Sequence, residues 1–247
     1  MLKTNMQDKV IVVAGATGGI GTGIAKKLDE AGATTVLMGR NSAKLNELCR
    51  QLQGTSYQYK VDFEDVEMVG EVFSFLKEKG LKADGLVYAV GVCADVPIRA
   101  GDLSEMQKNM QVNYYAYVEL CKKFANRRNS NEGSSIVALS SIASLMCEKA
   151  MSQYSASKAA LNAVTQTMSK EFAGRKIRVN ALAPAFVDTK MAWGTSISMD
   201  DFENYLAEHQ PYGIIPVKEI AAWTEFLLSD ITAHITGEII RISGGMY

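Results

Sequence analysis

The sequence contains few of the residues that build metal centres, disulfide frameworks or membrane spans. Its 247 residues include only two histidines and four cysteines, and no two cysteines have the Cys-x-x-Cys spacing of a zinc or redox site. No apolar run approaches the roughly 20 residues that cross a bilayer. We therefore predict no metal site and no membrane association. We interpret the cysteines as buried or neutral thiols, with a weaker alternative that Cys93 or Cys147 lines a substrate pocket.

The charge balance argues against a second group of functions. The formal net charge is −1, from 26 basic and 27 acidic residues, so no excess of one sign favours nucleic acid or an anionic membrane. The segment Met1–Lys9 lacks the apolar core of a signal peptide, which predicts a cytoplasmic protein. Because the chain has only four prolines and no linker or repeat, we interpret residues 1–247 as a single domain.

Short apolar runs rich in β-branched residues alternate with helical patterns along the chain. The runs predict seven strands: Val10–Ala14, Thr35–Met38, Tyr57–Val61, Gly85–Ala89, Ile136–Leu139, Arg178–Leu182 and Glu238–Ile242. The clearest helical stretches are Ile20–Ala31, Ala43–Leu52 and Val66–Lys79. This alternation predicts an α/β fold, a single doubly wound Rossmann domain whose seven-stranded parallel sheet carries helices on both faces. Ligands bind such sheets at the carboxyl ends of the strands.

One long segment, from about residue 190 to 213, shows no clear pattern. It follows the sixth predicted strand on the ligand side, so we interpret it as a variable substrate loop. It is either a mobile lid or an ordinary structured insertion. Met191, Trp193, Ile197 and Met199 give it the partly apolar character of a substrate pocket or of a lid packed on the domain.

Glycines follow the first strand where a helix is predicted to begin. Gly15 permits a tight turn, Gly19 lets the backbone approach a pyrophosphate, and Gly21 allows the helix and the strand to pack closely. The free N–H groups and the dipole of the helix N-terminus favour phosphates. We predict that this turn binds a dinucleotide through Gly15, Thr17, Gly18, Gly19, Ile20 and Gly21.

The ends of the second and third strands suggest which dinucleotide binds. Gly39 stands where enzymes selecting NAD carry an acid for the ribose 2′-hydroxyl, and Arg40 follows it. Arginine suits a 2′-phosphate, so NADP(H) is favoured over NAD(H); a merely solvated Arg40 is the alternative. Asp62, which precedes Phe63, can accept a bond from adenine or cap a helix.

Tyr154 and Lys158, in the run Tyr-Ser-Ala-Ser-Lys, lie four residues apart and therefore on one helical face. A free tyrosine has a pKa of about 10, and a nearby cation lowers that pKa by favouring phenolate. Tyr154 would then serve as a general acid or base, tuned by Lys158. Ser141, at the end of the fifth strand, would bond a substrate oxygen. The alternative for such a pair is a packing tyrosine beside a surface lysine.

Together these residues resemble the short-chain dehydrogenase/reductase family over nearly the whole chain. The family's motifs occur in order: the glycine turn, Asp62, Gly91, Asn113, Ser141, Tyr154, Lys158, Asn180, Pro184, Thr189 and Gly244-Gly245. The resemblance implies that Asn113 holds a water that links the lysine to solvent. It also implies cofactor contacts at Asp62, Phe63, Ala89, Gly91, Tyr154, Lys158, Pro184, Val187 and Thr189. A helix cap is the alternative role for Thr189.

Three segments depart from the family pattern. Ala14 replaces a threonine, and Ala185 replaces a glycine and adds a methyl near the expected nicotinamide. The segment Tyr88–Gly91 replaces Asn-Asn-Ala-Gly, which removes polar side chains that normally brace the central sheet. These departures concern loop geometry and cofactor binding rather than the proton-transfer groups.

The resemblance, which extends to bacterial 3-oxoacyl carrier-protein reductases, implies reduction of a carbonyl to an alcohol with NADPH, most directly of a 3-oxoacyl thioester. An acidic carrier protein would need a basic patch near the pocket. Scattered solvated charges are the alternative for the four candidates, which are Arg127, Arg128, Arg175 and Lys176. Other interpretations stay open: a sugar or polyol dehydrogenase, an NAD enzyme working in the oxidative direction, or a nucleotide sensor without turnover.

The family resemblance also implies a homotetramer or a homodimer, paired through the helices that carry Asn113 and Tyr154. Apolar residues on those helices fit either an interface or an ordinary core. They are Tyr114, Tyr117, Ala159, Leu161 and Val164.

Overall fold

The strands of the protein lie side by side in one parallel sheet. In this computed structural model, which describes residues 4–194 and 199–246, the strand order is β3-β2-β1-β4-β5-β6-β7. The strands are β1 Val10–Ala14, β2 Thr34–Gly39, β3 Ser56–Lys60, β4 Ala83–Tyr88, β5 Ser130–Leu139, β6 Arg178–Pro184 and β7 Ile239–Ile242. The predicted doubly wound α/β fold is confirmed, and the strand order reverses between β1 and β4, where such sheets bind ligands.

Helices connect the strands and cover the sheet. They are α1 Gly19–Glu30, α2 Ser42–Gln51, α3 Val72–Glu78, α4 Leu103–Met110, α5 Ala116–Phe124, α6 Ser152–Glu171, α7 Lys190–Trp193, α8 Met199–His209 and α9 Val217–Leu228. A π-helical turn, Gln111–Tyr115, joins α4 to α5. Short 3₁₀ turns cover Met68–Glu71, Ile98–Ala100, Ile142–Ser144, Ala173–Arg175 and Asp230–Thr232. No helix in the described ranges is long and apolar enough to cross a membrane.

Alternation along the strands divides the core between the two faces of the sheet. Successive strand residues point to opposite faces. Thus Val10, Val12 and Ala14 belong to a core cluster with residues of α3, α5 and α6. Ile11 and Val13 belong to a second cluster with residues of α1, α2 and α9. Both faces are therefore covered, which explains why the strands contain continuous apolar runs.

Several predicted boundaries are wrong for local reasons. Strand β5 begins at Ser130, six residues before the predicted start, because its first six residues are polar or glycine, three of them exposed, and give no apolar signal. The stretch Val66–Lys79 is a 3₁₀ turn followed by α3. Gly70 lies inside that turn, and a Cβ there would meet the Lys123 Cγ at 2.7 Å, so a larger residue would have to displace the Lys123 side chain.

The segment 190–213 is largely helical, which supports the structured-insertion interpretation. Phe202 and Leu206, one turn apart on α8, are buried against Ala192, with Phe186 packed beside them. The predicted apolar residue Ile197 lies outside the described residues, and the side chain of Met199 is likewise not described.

Most of the apolar residues considered for an oligomer interface belong instead to the core or lie near its edge. Tyr117 and Leu161 are fully buried inside the chain's own core cluster, while Tyr114 and Val164 are half-buried. Ala159 is exposed. The interface interpretation is therefore wrong for Tyr117 and Leu161.

Tyr88 replaces the polar brace that the family pattern led us to expect. Its ring is fully buried between Phe63, at 6.1 Å between ring centroids, and Tyr117, at 5.2 Å. Its hydroxyl donates a hydrogen bond to the carbonyl oxygen of Val112, inside the π-helical turn. The end of β4 is thus tied to the turn that carries Asn113.

Tyr88→Phe should remove this bond and leave the buried Val112 carbonyl with one partner fewer. We expect the free energy of unfolding to fall by about 1–3 kcal/mol, the usual effect of removing one partner of a buried hydrogen bond. Denaturant unfolding at fixed protein concentration measures the change. Tyr212→Phe is the control, because that side chain is 88% exposed; an equal loss in both variants would contradict the role given to Tyr88.

Candidate active site

Helix α6 and the ends of β4 and β5 bring the predicted Tyr154 and Lys158 together. Both residues face the sheet from the first turns of α6, and Lys158 is only 2% exposed. Its ammonium donates hydrogen bonds to the Leu139 carbonyl at 2.8 Å and the Val90 carbonyl at 3.4 Å. The Lys158 Nζ lies 5.8 Å from the centre of the Tyr154 ring. The alternative of a surface lysine is therefore wrong.

Ser141 lies directly after β5, at the start of the 3₁₀ turn Ile142–Ser144. Its hydroxyl oxygen accepts a bond from the Ala143 N–H at 3.2 Å, and the same hydroxyl lies beside the Tyr154 phenol, close enough to lower the pKa of that phenol. Because the two hydroxyls are neighbours on the wall of one cavity, a single carbonyl oxygen can accept hydrogen bonds from both.

Burial controls the charge states of this pair. Burial raises the pKa of Tyr154 to about 12, although the Ser141 hydroxyl lowers it and the Cys93 thiol raises it further. Burial lowers the pKa of Lys158 to about 8. The expectation that the tyrosine pKa falls is therefore wrong in its net direction, because desolvation of the phenol dominates. At neutral pH Tyr154 is a protonated phenol that can donate a proton.

Asn113 has a different set of contacts from those implied by the family resemblance. It is fully buried in the π-helical turn, and its amide exchanges bonds of 2.9 Å with both the N–H and the carbonyl of Val92. Its amide nitrogen also donates to the Ser157 hydroxyl at 2.9 Å. Asn113 thus fixes the segment after β4, next to the Val90 carbonyl that holds Lys158. The water-holding role stays a prediction.

The glycine turn has the shape of a phosphate cradle. Gly15 has a φ of +81°, and a Cβ on Gly21 would lie 2.1 Å from the Gly15 carbonyl oxygen, so both positions require glycine. A Cβ on Gly19 would meet Thr189 at 2.7 Å, which places the loop after β6 against the turn. Gly18, the N-cap of α1, offers no side-chain cap, so the first N–H groups of the helix can bind an anion.

Six other predicted cofactor positions fall into two settings. Ile20, Pro184, Val187 and Thr189 line the same cavity as Tyr154, and Thr189 makes no side-chain cap bond to α7. Ala89 and Gly91 lie beside the site. A Cβ on Gly15 would lie 2.6 Å from the Ala89 carbonyl oxygen, and one on Gly91 3.3 Å from the Lys158 Nζ.

Asp62 and Phe63 have different surroundings. Asp62 is exposed and accepts a bond from the Glu64 N–H at 3.1 Å within a turn. The next helical turn begins only at Met68, with Glu67 as its N-cap, so the helix-cap interpretation of Asp62 is wrong. Phe63 is 4% exposed, with its ring packed on Tyr88, so only its backbone can reach a ligand.

Arg40 lines a separate surface depression at the ends of β2 and β3. The depression is lined by Thr17, Arg40, Asn41, Ser42, Lys44 and Lys60. We did not predict Lys44 or Lys60. Lys60 ends β3 directly opposite Gly39 in the strand register, a pairing that the predicted strand ends, Met38 and Val61, do not give. Arg40 also forms an ion pair with Glu64 at 3.7 Å.

The cavity beside Tyr154 has a volume of about 460 Å³ and extends from the glycine turn to α8. Much of its lining is apolar and includes four methionines. Met191 was predicted for a substrate pocket or lid, whereas Met146, Met151 and Met246 were not identified from the sequence. Cys93 lines it, which supports the weaker interpretation for that residue, whereas Cys147 is exposed and is not among the lining residues of the described chain. The charged residues that we find in the lining are Asp95 and Glu148.

The four basic residues considered for a carrier-protein patch lie at the wrong end of the sheet. Arg175 bonds the Ala125 carbonyl and Ser130 at the start of β5, and Lys176 pairs with Glu132 at 3.5 Å. Arg127 and Arg128 immediately precede β5. Ser130 pairs with Ala83 at the start of β4, whereas Ala138 pairs with Tyr88 at its end, so this group lies at the opposite end of the sheet from Ser141 and the patch interpretation is wrong.

Comparisons with known proteins agree with this geometry. A family model described as enoyl-(acyl carrier protein) reductase matches residues 15–247. The chain is 28% identical to the 3-oxoacyl-(acyl-carrier-protein) reductase of Aquifex aeolicus over 100% of both chains. It is 31% identical to the enzyme of the same name from Rickettsia felis over 98% of both. A Brucella melitensis structure described as a short-chain dehydrogenase/reductase, glucose/ribitol dehydrogenase, has a TM-score of 0.93 at 25% identity, covering 100% of this chain and 99% of that one.

Proposed function

Since this chain belongs to the short-chain dehydrogenase/reductase family and is an NAD(P)-dependent oxidoreductase, we propose that it reduces a carbonyl to an alcohol with NADPH. A 3-oxoacyl thioester is the substrate that we favour. The observation that carries the proposal is the contact of Ser141 with Tyr154 on the wall of an apolar cavity, one helical turn from the buried ammonium of Lys158.

The chain's own groups perform the proton half of the reduction. Pro184, Val187 and Thr189 would hold the nicotinamide of the cofactor beside Tyr154, where it would supply the hydride for the carbonyl carbon. Ser141 and Tyr154 hold the carbonyl oxygen with two hydrogen bonds, and Tyr154 gives that oxygen its proton as negative charge develops. The Lys158 ammonium then stabilises the phenolate that remains. A phenol with a raised pKa of about 12 is protonated at neutral pH, which supports the reductive direction.

The depression around Arg40 supports NADPH over NADH. Its cations, Arg40, Lys44 and Lys60, converge at the N-terminus of α2, a favourable place for a phosphate. An acid at position 39 would be crowded, because a Cβ on Gly39 would lie 3.2 Å from the Thr17 hydroxyl oxygen. These residues suit a ribose 2′-phosphate and leave little room for the carboxylate that binds a free 2′-hydroxyl.

The cavity lining supports a substrate with an apolar portion. Methionine side chains are flexible and adapt to differently shaped apolar groups, as an enzyme for acyl chains requires. The relatives from Aquifex and Rickettsia are named as 3-oxoacyl-(acyl-carrier-protein) reductases, in agreement with such a substrate. Because the basic group at the start of β5 lies far from the cavity, a carrier protein would have to bind another surface, and a free thioester needs none.

A sugar or polyol is the second candidate substrate, and a separate observation favours it. Asp95 and Glu148, the charged residues that we find in the cavity lining, can accept hydrogen bonds from substrate hydroxyls. The similar Brucella structure is described as a glucose/ribitol dehydrogenase. In this alternative the proton-transfer groups keep the same roles.

The family resemblance also supports a homotetramer or a homodimer. Exposed apolar side chains near α4 and α5 are consistent with one, namely Ile98, Leu103 and Tyr115.

NADPH oxidation with acetoacetyl thioester, simple ketones and keto-sugars tests the reaction and its substrate. We expect thioester turnover by the wild-type protein and a loss of about 100-fold or more in Tyr154→Phe, the scale of general acid catalysis. Tyr205→Phe is the matched control, since Tyr205 lines the same cavity from α8. Near-normal turnover in Tyr154→Phe would overturn the assignment. Preference for keto-sugars would favour the second candidate.

Arg40→Ala should weaken NADPH binding by about ten-fold or more while leaving NADH binding within about two-fold, because a charge-assisted phosphate contact is lost. Isothermal titration calorimetry with NADPH and with NADH measures both affinities. Lys170→Ala, an exposed change at the end of α6, controls for a general loss of positive charge. Equal weakening of both cofactors by Arg40→Ala would remove the argument for the 2′-phosphate.

A further inference from the structure

The turn that carries Ser141 is held by one small hydroxyl. The Ser144 hydroxyl donates a hydrogen bond of 2.5 Å to the backbone carbonyl of Ser141. It accepts one from the Asn162 amide nitrogen at 2.7 Å and a longer one from the Ser140 hydroxyl at 3.4 Å. A serine hydroxyl has one donor and two acceptor positions, so Ser144 uses its full capacity.

Asn162 connects this turn to the helix that carries the acid. It lies on α6 one turn after Lys158 and two turns after Tyr154, so the three residues share one face of the helix. Asn162 is only 8% exposed. Its amide therefore bonds a turn at the end of β5 from the same helical face that presents the phenol and the ammonium.

The side-chain carbonyl oxygen of Asn162, unlike its amide nitrogen, makes no hydrogen bond in the described part of the chain. This oxygen, Oδ1, is buried. A buried unpaired amide oxygen costs stability, and leucine, of similar size, would avoid that cost. An asparagine at this position is therefore explained by its donor nitrogen rather than by packing.

We propose that Asn162 is a positioning residue for the reduction, which through the Ser144 hydroxyl fixes the Ser141 turn against the helix that carries Tyr154. The inference rests on the proposed function, since its kinetic test measures carbonyl reduction. Without this link the two hydroxyls that hold the carbonyl oxygen would move relative to each other. The influence of the Ser141 hydroxyl, which lowers the pKa of Tyr154 against the effect of burial, would weaken at the same time.

Three variants test the link: Asn162→Leu, Ser144→Ala and the double variant. We expect each single change to lower kcat about ten-fold, because small misplacements of catalytic groups are costly, and to leave the Kd for NADPH within about two-fold of wild type. The double variant should lose no more than the worse single variant, since both remove one chain of hydrogen bonds. The proposal would be overturned if the two single losses in kcat multiplied in the double variant. It would also be overturned if kcat of the single variants were unchanged, whether or not KM rose.

Hydrogen–deuterium exchange of residues 140–146 gives a readout that does not depend on activity. Exchange there should be faster in both single variants, while the rest of α6 keeps its wild-type protection. Ser155→Ala is the matched control, because Ser155 is another buried hydroxyl of α6 without a partner in the described ranges. It should change neither kcat nor this exchange.

The two proposals can fail separately. If the wild-type protein reduces no carbonyl, the proposed function fails and the exchange data alone decide the link. Unchanged exchange of residues 140–146 in Asn162→Leu would overturn the link even in an active enzyme. Faster exchange with unchanged kcat would show a structural tie that does not position the chemistry, and would also overturn it.

Discussion

The candidate site depends on holding the Lys158 ammonium inside the protein, away from water. Burying a cation is unfavourable unless oxygen atoms replace its hydration. Here two carbonyls from neighbouring strands supply those oxygens. Leu139 ends β5, and Val90 lies two residues after the end of β4. The parallel sheet aligns the ends of β4 and β5, and α6 covers them, so both carbonyls reach one side chain. The remaining features of the site follow from that requirement.

The segments around the lysine are fixed from several directions. Asn113 binds the backbone of Val92, so the Val90 carbonyl is held in place from the π-helical turn. Tyr88 ties the end of β4 to the same turn and replaces the asparagines of the family pattern. Asn162 and Ser144 do the equivalent for the turn after β5. The phenol and the serine hydroxyl therefore meet in a defined geometry although both lie at element ends.

Much of this arrangement could be predicted from the sequence, because it depends on the periodicity of apolar residues and on the spacing of the functional residues along the chain. Alternating apolar runs located the strands, and the spacing of Tyr154 and Lys158 placed both on one helical face. The sequence could not show what depends on distance between remote segments. The net pKa of Tyr154 follows from how deeply the fold buries it, so a rule about nearby cations predicted the wrong direction. The place of Arg175, at the opposite end of the sheet from the cavity, follows from strand direction, which a pair of basic residues does not reveal.

The pH dependence of kcat/KM for carbonyl reduction tests the central role of the buried ammonium most directly. The pKa of Lys158 is lowered to about 8, so the cation is present below that pH and is lost as the pH rises through it. In the proposed reaction the cation stabilises the phenolate formed when Tyr154 gives up its proton, so reduction should slow through about pH 8 in the wild-type protein. Lys158→Met should be slow at every pH, with no step there. A wild-type profile that stays flat to about pH 10, near the ordinary lysine pKa, or that rises across this range, would contradict the account.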